Sequence, residues 1–548
     1  MCTCALLSNA QEQPPFNPGH ISGNVQILWQ QYSEDTLIGA NVPPEKSGFN
    51  AFGNVNYTRG DFAAGIRYES YLSPVLGYPA RFKGTGLGYR YARYTKDKLE
   101  ITIGNFYEQF GSGLLFRSYE ERQLGIDNAM DGFQVKFLPF DGVTIKGIYG
   151  RQRFDFDSRL INGEGIVRGF DGEVFLNDAF AKLNEKKTKV TLGGGFVSKF
   201  QEGGVYEKDT LLLELPANVG AYAGRVNVQR GKWTLYAEYC EKINDPNADN
   251  GWIYKNGRAG MVQLGYSQKG LGISAGAKVV DNMSFRSDRD QKLFDVPVNF
   301  IPAITQQHTY ILVATLYPYA TVINGESSAM GEIFYKIPKG SLLGGEYGVD
   351  VAANFAMANN IDTTGLSGLD RAIDGYSTNA FSLSGDKFVR DFNASISKKF
   401  SKSFKAKYSF YDLEFNTLTT PVTTEFKGIV YADIHVAEFN YNIKPKHTVR
   451  WELQTLFTNQ DKGDWAAALI EYNFSPHWFV SVLDQFNYGN PDPAKRVHYL
   501  YGRAGYITGA TRIEVGYGKR REGIFCIGGV CRAVPASNGL EIVITSSF

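Results

Sequence analysis

The sequence lacks any stretch near the roughly 18 consecutive apolar residues that a membrane-spanning helix needs, so if this chain crosses a membrane it crosses as strands. It also lacks an excess of either charge. Lys+Arg 57 stands against Asp+Glu 56, which leaves no basic footprint for nucleic acid. Histidine is scarce at 6 residues, and His20, His308, His435, His447, His477 and His498 show no recognisable spacing to a serine or carboxylate. No nucleophile elbow, phosphate loop or ligand cluster is visible, so no catalytic residue, cofactor or metal is expected. Barrel hydrolases place their catalytic groups on separated strands, which keeps an outer-rim site near His435 or His498 as a minor alternative. Linkers rich in proline or serine are missing too, and the 548 residues read as one unit.

Aromatic residues and glycine are what the chain has in quantity: 33 Tyr, 38 Phe and 60 Gly. That composition favours twisted sheets with aromatic belts. Period-two alternation recurs throughout. In "KWTLYAEYCEK" Trp233, Leu235, Ala237 and Tyr239 oppose Thr234, Tyr236, Glu238 and Cys240, and in "HTVRWELQTLF" Val449, Trp451, Leu453 and Phe457 oppose Arg450, Glu452 and Gln454. Such segments have one oily face and one wet face. They are joined by short turns rich in Gly, Pro and Lys, among them "YTRGDF", "YTKDKL", "KIPKGS", "IKPKHT" and "YITGAT". About eleven such turns alternate with longer polar connections at 108–129, 154–169, 200–218, 244–257, 281–325, 359–386 and 520–536, the asymmetry of an outer-membrane barrel with short periplasmic turns and long extracellular loops. The expectation is an all-β, transmembrane antiparallel β-barrel over 19–548 of about 24 strands, within a range of about 20–26. A soluble propeller would repeat a motif every 40–50 residues or so, and none is found.

The ends carry their own signals. "MCTCALLSNAQEQPP" reads as the tail of a secretory signal peptide, with 1–10 as its remnant. In the last strand Leu540, Ile542, Ile544 and Phe548 would face lipid, and the terminal aromatic Phe548 resembles the signal read by barrel-insertion machinery. Of the five cysteines, Cys240 stands alone in a strand and suits a packed thiol, while Cys526 and Cys531 in "CIGGVCR" flank a turn short enough for a disulfide. Zinc would need more ligands than that pair.

Four blocks reach across the chain: "NFYEQFGSGLLFRSYEERQLGIDNAMDG" (105–132), "IVRGFDGEVFLND" (166–178), "HTYILVATLYPYATVINGE" (308–326) and the terminal "CIGGVCRAVPASNGLEIVITSSF". With them the sequence resembles an uncharacterised, porin-like family of Bacteroidota outer-membrane β-barrels. The resemblance implies an exported barrel in the outer membrane of a Gram-negative bacterium, and it brings no activity to carry over.

Two segments are candidates to occupy the lumen. Segment 108–129 carries Glu108, Arg117, Glu120, Glu121, Arg122 and Asp127. Folded inward, opposed Arg and carboxylate rows would constrict the lumen and select solutes by charge; alternatively the same charges pair to hold the loop on the wall. Segment 281–325 is long and apolar enough to plug so wide a barrel, with Arg286, Asp288, Arg289 and Asp290 lining a passage. "HTYILVATLYPYA" within it also reads as an extra strand. "DPNADNG" (245–251) has calcium-loop spacing at Asp245, Asn247 and Asp249, but its glycine is displaced, and an exposed turn-rich loop is expected. The functional expectation is a channel or transporter for small polar solutes or peptides. A plugged barrel serving as a scaffold in a secretion or surface-protein complex is the alternative. Expected partners are outer-membrane lipid and lipopolysaccharide, the insertion machinery, and proteins at the loops or periplasmic face.

Overall fold

The alternating segments become 24 antiparallel strands of a single sheet, and the sheet closes because the first strand, His20–Tyr32, pairs with the last, Ser537–Ser547. This computed structural model describes residues 18–208, 211–379, 385–418, 426–527 and 530–548. The proposed signal remnant 1–10 lies outside the described residues. Closure leaves no unpaired edge, so every strand satisfies its backbone through its neighbours.

The two faces of each strand separate as the alternation requires. On Phe62–Tyr71, Ile66 and Tyr68 are exposed on the outer wall while Arg67 and Glu69 are buried in the interior. On Ser537–Ser547, Glu541 turns inward to Arg503 and Arg520, which puts Leu540, Ile542 and Ile544 on the outside. Near one rim the outer wall carries aromatic pairs, Trp233 with Tyr266 at 4.7 Å and Trp478 with Tyr506 at 4.6 Å. Amphipathic rings at that level are characteristic of a membrane interface.

All eleven connections expected as short turns lie at that rim, together with the start of the first strand and the end of the last. Two of them are longer than a turn: 176–187 carries the short helices Leu176–Ala179 and Ala181–Asn184, and "KIPKGS" opens a connection over 338–348. The tightest have two residues, such as Gly60 and Asp61, where Gly60 takes a φ of 55° that a side chain would resist. The "RGD" tripeptide is therefore turn chemistry. On the opposite rim the loops are long, with one correction. The region 154–169 is not a loop: strands Val143–Phe156 and Leu160–Phe175 run through it, linked by 157–159 alone. Its charges conceal the alternation because two register shifts, at Arg151/Arg153 and Arg153/Asp155, break the period.

The calcium-like segment is also corrected, since Asp245 and Asn247 are buried, not exposed. Asp245 pairs with Lys199 at 2.7 Å, and the Asn247 side chain accepts from the backbone N–H groups of Asp249 and Asn250.

Candidate functional site

Segment 107–129 turns into the barrel because its centre is apolar: Phe110, Leu114, Leu115 and Phe116 have no contact with solvent. Two small ladders, Glu108–Phe110 with Phe116–Ser118 and Glu120–Glu121 with Ile126–Asp127, satisfy its backbone locally. Its charges then meet the inner wall. Glu108 accepts from Lys146 Nζ at 2.9 Å and Gln134 Nε2 at 2.6 Å. Glu120 accepts from Arg67 at 3.0 Å and Arg122 at 2.7 Å. Asp127 accepts from Arg153 at 2.8 Å, from the Tyr107 hydroxyl at 3.0 Å, and from Arg67. Glu69 sits between the same two arginines, at 2.6 Å from Arg67 and 2.7 Å from Arg153. Positive and negative groups interleave in one network, in place of two opposed rows with open space between them.

The other two charged residues of the segment play separate parts. Glu121 caps the short turn Arg122–Leu124, accepting from Gln123 N–H. Arg117 meets no carboxylate within bonding distance. Its guanidinium lies between the rings of Tyr119, 4.4 Å away, and Phe300, 4.1 Å away. Burial draws its pKa below the usual arginine value and pushes the Tyr119 phenol up to about 12. A guanidinium between aromatic faces is held by their quadrupoles and by stacking.

Segment 282–324 crosses the lumen. Gln152, on the strand Val143–Phe156, donates to the Pro297 carbonyl at 2.7 Å, while Gln454, on the strand His447–Phe457, accepts from Leu312 N–H at 3.0 Å. These are the seventh and nineteenth strands of the closed ring of 24, twelve places apart. The two inserted segments also bind each other, through Arg117 N–H to Val298 O and Phe300 N–H to Gly113 O, both at 2.9 Å.

The charges at the start of this plug are packed. Arg286, Asp288 and Arg289 are 1%, 6% and 4% exposed. Arg286 donates to the Asp295 carbonyl at 2.7 Å and faces Asp249 at 3.3 Å. Asp288 and Arg289 both engage Gln201, at 3.3 and 3.0 Å. Of the four, Asp290 alone is exposed.

The second half of the plug is not an extra strand. Ile311–Leu316 is a short helix that buries Leu312, Val313 and Leu316 against Val430, Ile434, Leu456 and Trp465 of the wall. A closed sheet offers no free edge, so this piece satisfies its backbone on itself. Burying each of the three side chains contributes about 1.5–3 kcal/mol. Around the helix, His308 meets Asp391 at 2.5 Å, and Tyr317 donates to Asp461 at 3.1 Å. His435 pairs with Tyr408 at 2.7 Å, and His498 with Asp484 at 2.7 Å, both on the outer wall.

Besides a small cavity of about 120 Å³ at His308, Tyr317 and Asp391, two larger ones flank the inserted segments. One, of about 300 Å³, is polar and reaches Asn24, Asn54, Arg67, Tyr91 and Glu120. The other, of about 320 Å³, lies among Tyr119, Phe294, Phe300 and Ile323, beneath the outer hairpin at Val530 and Cys531. They share no lining residue. In that hairpin the register sets Cys526 opposite Cys531, while the side chain of Cys526 lies outside the described residues. At the far rim the Phe548 backbone exchanges two bonds of 3.0 Å with Gly23.

The chain is similar in fold to a siderophore receptor, PirA, of Pseudomonas aeruginosa (TM-score 0.40, 10% identity, 98% of this chain and 81% of that one). It is also similar to the P pilus usher PapC translocation pore (0.38, 8%, 96% and 99%) and to OccK3 (OpdO) of Pseudomonas aeruginosa (0.36, 12%, 85% and 96%). No curated protein sequence matches. One family model matches residues 1–548, and by it the chain belongs to DUF6029, a family of unknown function.

Proposed function

We propose that the chain is an outer-membrane channel of porin type for small polar solutes, held closed here by its two inserted segments. The observation that carries this reading is the wet half of the lumen. Toward the short-turn rim the inner wall presents Lys399 and Lys405, both exposed and directly opposite each other. Lys407, Glu438, Arg450 and Glu471 continue that inner face on the neighbouring strands. Like charges placed so are tolerated where water and mobile counter-ions reach them. On this reading the vestibule would lead toward the polar cavity at Arg67 and Glu120, and the interlocked charges there would close it. The apolar band and aromatic rim of the outer wall are what lipid requires, and they support a place in the outer membrane.

A second reading, a permanently plugged scaffold for a surface or secretion complex, is favoured by the plug's attachment to opposite walls and by the separation of the two cavities. Single-channel recording in planar bilayers separates them. The intact protein and a variant with 284–322 replaced by a flexible linker would be compared. Brief ion-selective steps in the intact protein and large steady openings in the variant support the channel. Silence of the intact protein under every voltage and solute, with openings only in the variant, leaves the scaffold.

A further inference from the structure

The outer wall switches from apolar to charged part-way up a run of adjacent strands. On Val143–Phe156 the exposed outward residues Ile145 and Tyr149 are followed by exposed Arg151. On Leu160–Phe175 exposed Phe170 is followed, toward the long loops, by exposed Arg168. On Met130–Phe137 exposed Phe133 gives way to Asp131, and on Gly84–Lys96 Ala92 gives way to exposed Arg90. The register places Arg151 opposite Asp131 and Arg168 opposite Tyr149, so Arg151 and Arg168 are diagonal neighbours on one face.

The charges there do not cancel. Three guanidinium groups surround one carboxylate, and Asp131 is already engaged by Arg90 at 3.4 Å and by Asn162 at 2.9 Å. Arg168 donates to Ser198 at 3.0 Å and Asn218 at 2.9 Å, neither of which is charged. The Arg151 side chain makes no hydrogen bond or ion pair among the described residues. The next acid toward the loops, Glu164, accepts from Gln201 at 3.2 Å. Unpaired guanidinium at the edge of hydrocarbon calls for an anion of the headgroup layer.

Directly below lies a groove of about 600 Å³ on the same outer wall. Val55, Ile66 and Ile103 form its sides, Ala64 and Ala92 its floor, and Arg90 and Asp131 its upper end. A groove of small and aliphatic side chains under a guanidinium cluster matches an acyl chain beneath a phosphate. Guanidinium forks bind phosphate oxygens in pairs, which an ammonium or a neutral side chain does not reproduce.

We propose that this face is a binding site for a phosphorylated glycolipid of the outer leaflet. Its phosphates sit on Arg151, Arg168 and Arg90, and one acyl chain lies in the groove. The site rests on the outer-membrane reading above, and not on conduction: a protein silent in bilayers that still holds the lipid would fail the channel reading alone.

The test is native mass spectrometry of the intact, delipidated protein in detergent with three probes: bis-phosphorylated lipid A, its dephosphorylated form, and inorganic phosphate. The wild type is expected to retain lipid A about tenfold better than the dephosphorylated form, the scale of one or two charge-assisted contacts. Arg151→Gln/Arg168→Gln is expected to bring the two lipids level. Ala92→Phe, which fills the groove floor, is expected to weaken both lipids equally. Each variant is first checked for heat-resistant barrel migration, and Arg151→Gln alone, at an exposed and unbonded position, serves if the double variant does not fold. Equal retention of both lipids by the wild type, unchanged retention in the variants, or displacement of the lipid by millimolar inorganic phosphate would overturn the proposal, the last pointing to a site for free anions.

Discussion

At the scale of single residues, the interlocked charges of Arg67, Glu69, Asp127 and Arg153 decide how firmly the first inserted segment is held. Glu69 and Arg153 are out of reach of water, so removing one partner strands the rest. Arg153→Met is expected to destabilise the barrel by about 3–5 kcal/mol, because it leaves Glu69 and Asp127 with fewer cations than they need. Arg153→Met/Glu69→Leu should recover most of that loss, since a packed apolar pair leaves no stranded charge. Urea midpoints of the three refolded proteins check this, and a double variant no better than the single one would mean that shape, not charge, is what the site requires. Only the loop's share of this network was legible beforehand. Glu120, Arg122 and Asp127 are conspicuous in a single segment, whereas Arg67, Glu69 and Arg153 lie on wall strands and were not singled out. Nothing in the order of residues, however, tells that Asp127 meets an arginine 26 positions away across a register shift. Arg117 was misleading for the same reason: its partners are the rings of Tyr119 and Phe300, and a long-range stacking partner leaves no pattern in the sequence.

Secondary-structure elements divide into those whose faces are fixed by lipid and water and those whose faces are fixed by other parts of the chain. The wall strands belong to the first kind, and their period of two with the turn signals between them led to the 24 strands, although 176–187 and 338–348 are longer than the turns expected there. The plug belongs to the second kind. In "HTYILVATLYPYA" the run Ile311, Leu312, Val313 is apolar on both sides, and alternation cannot distinguish an interior helix turn from a strand. That helix makes a sharp prediction. Leu312→Asp buries a carboxylate among Val430, Leu456 and Trp465, where the Arg521 guanidinium already donates to Thr315 and lies over the Trp465 ring, and should free the second half of the plug from the wall. Limited chymotrypsin digestion is the readout, because Tyr310 and Tyr319 lie in the half that is freed. Cleavage there should rise several-fold, in line with a loss of about 2–4 kcal/mol of local packing, while the wall strands stay resistant. A digestion pattern identical to wild type would show that the first half of the plug alone holds the segment. The same variant in bilayers should open more often if the channel reading is right.

For the whole molecule the decisive event is closure of the ring, and the contact that completes it lies at the last residue. Nine register pairs, from Asn24 opposite Ser547 to Tyr32 opposite Gly539, join the first and last strands. Beyond them Phe548 adds two backbone bonds to Gly23, and a Cβ at position 23 would come within 2.5 Å of the Phe548 ring. The ring therefore reaches over a glycine on the lipid side, 67% exposed, and contributes little packing of its own. An exposed aromatic that stabilises so little is better placed to be recognised than to hold the fold. Phe548→Ala keeps both backbone bonds and is expected to lower refolded stability by no more than about 1 kcal/mol, while sharply reducing the amount of heat-resistant barrel assembled in the outer membrane of cells. Gly23→Val, which evicts the ring and crowds the closing strands, should reduce both quantities. If Phe548→Ala instead weakens refolded stability as much as cellular assembly, the ring acts in closure itself, and recognition by the insertion machinery must be sought elsewhere in the last strand.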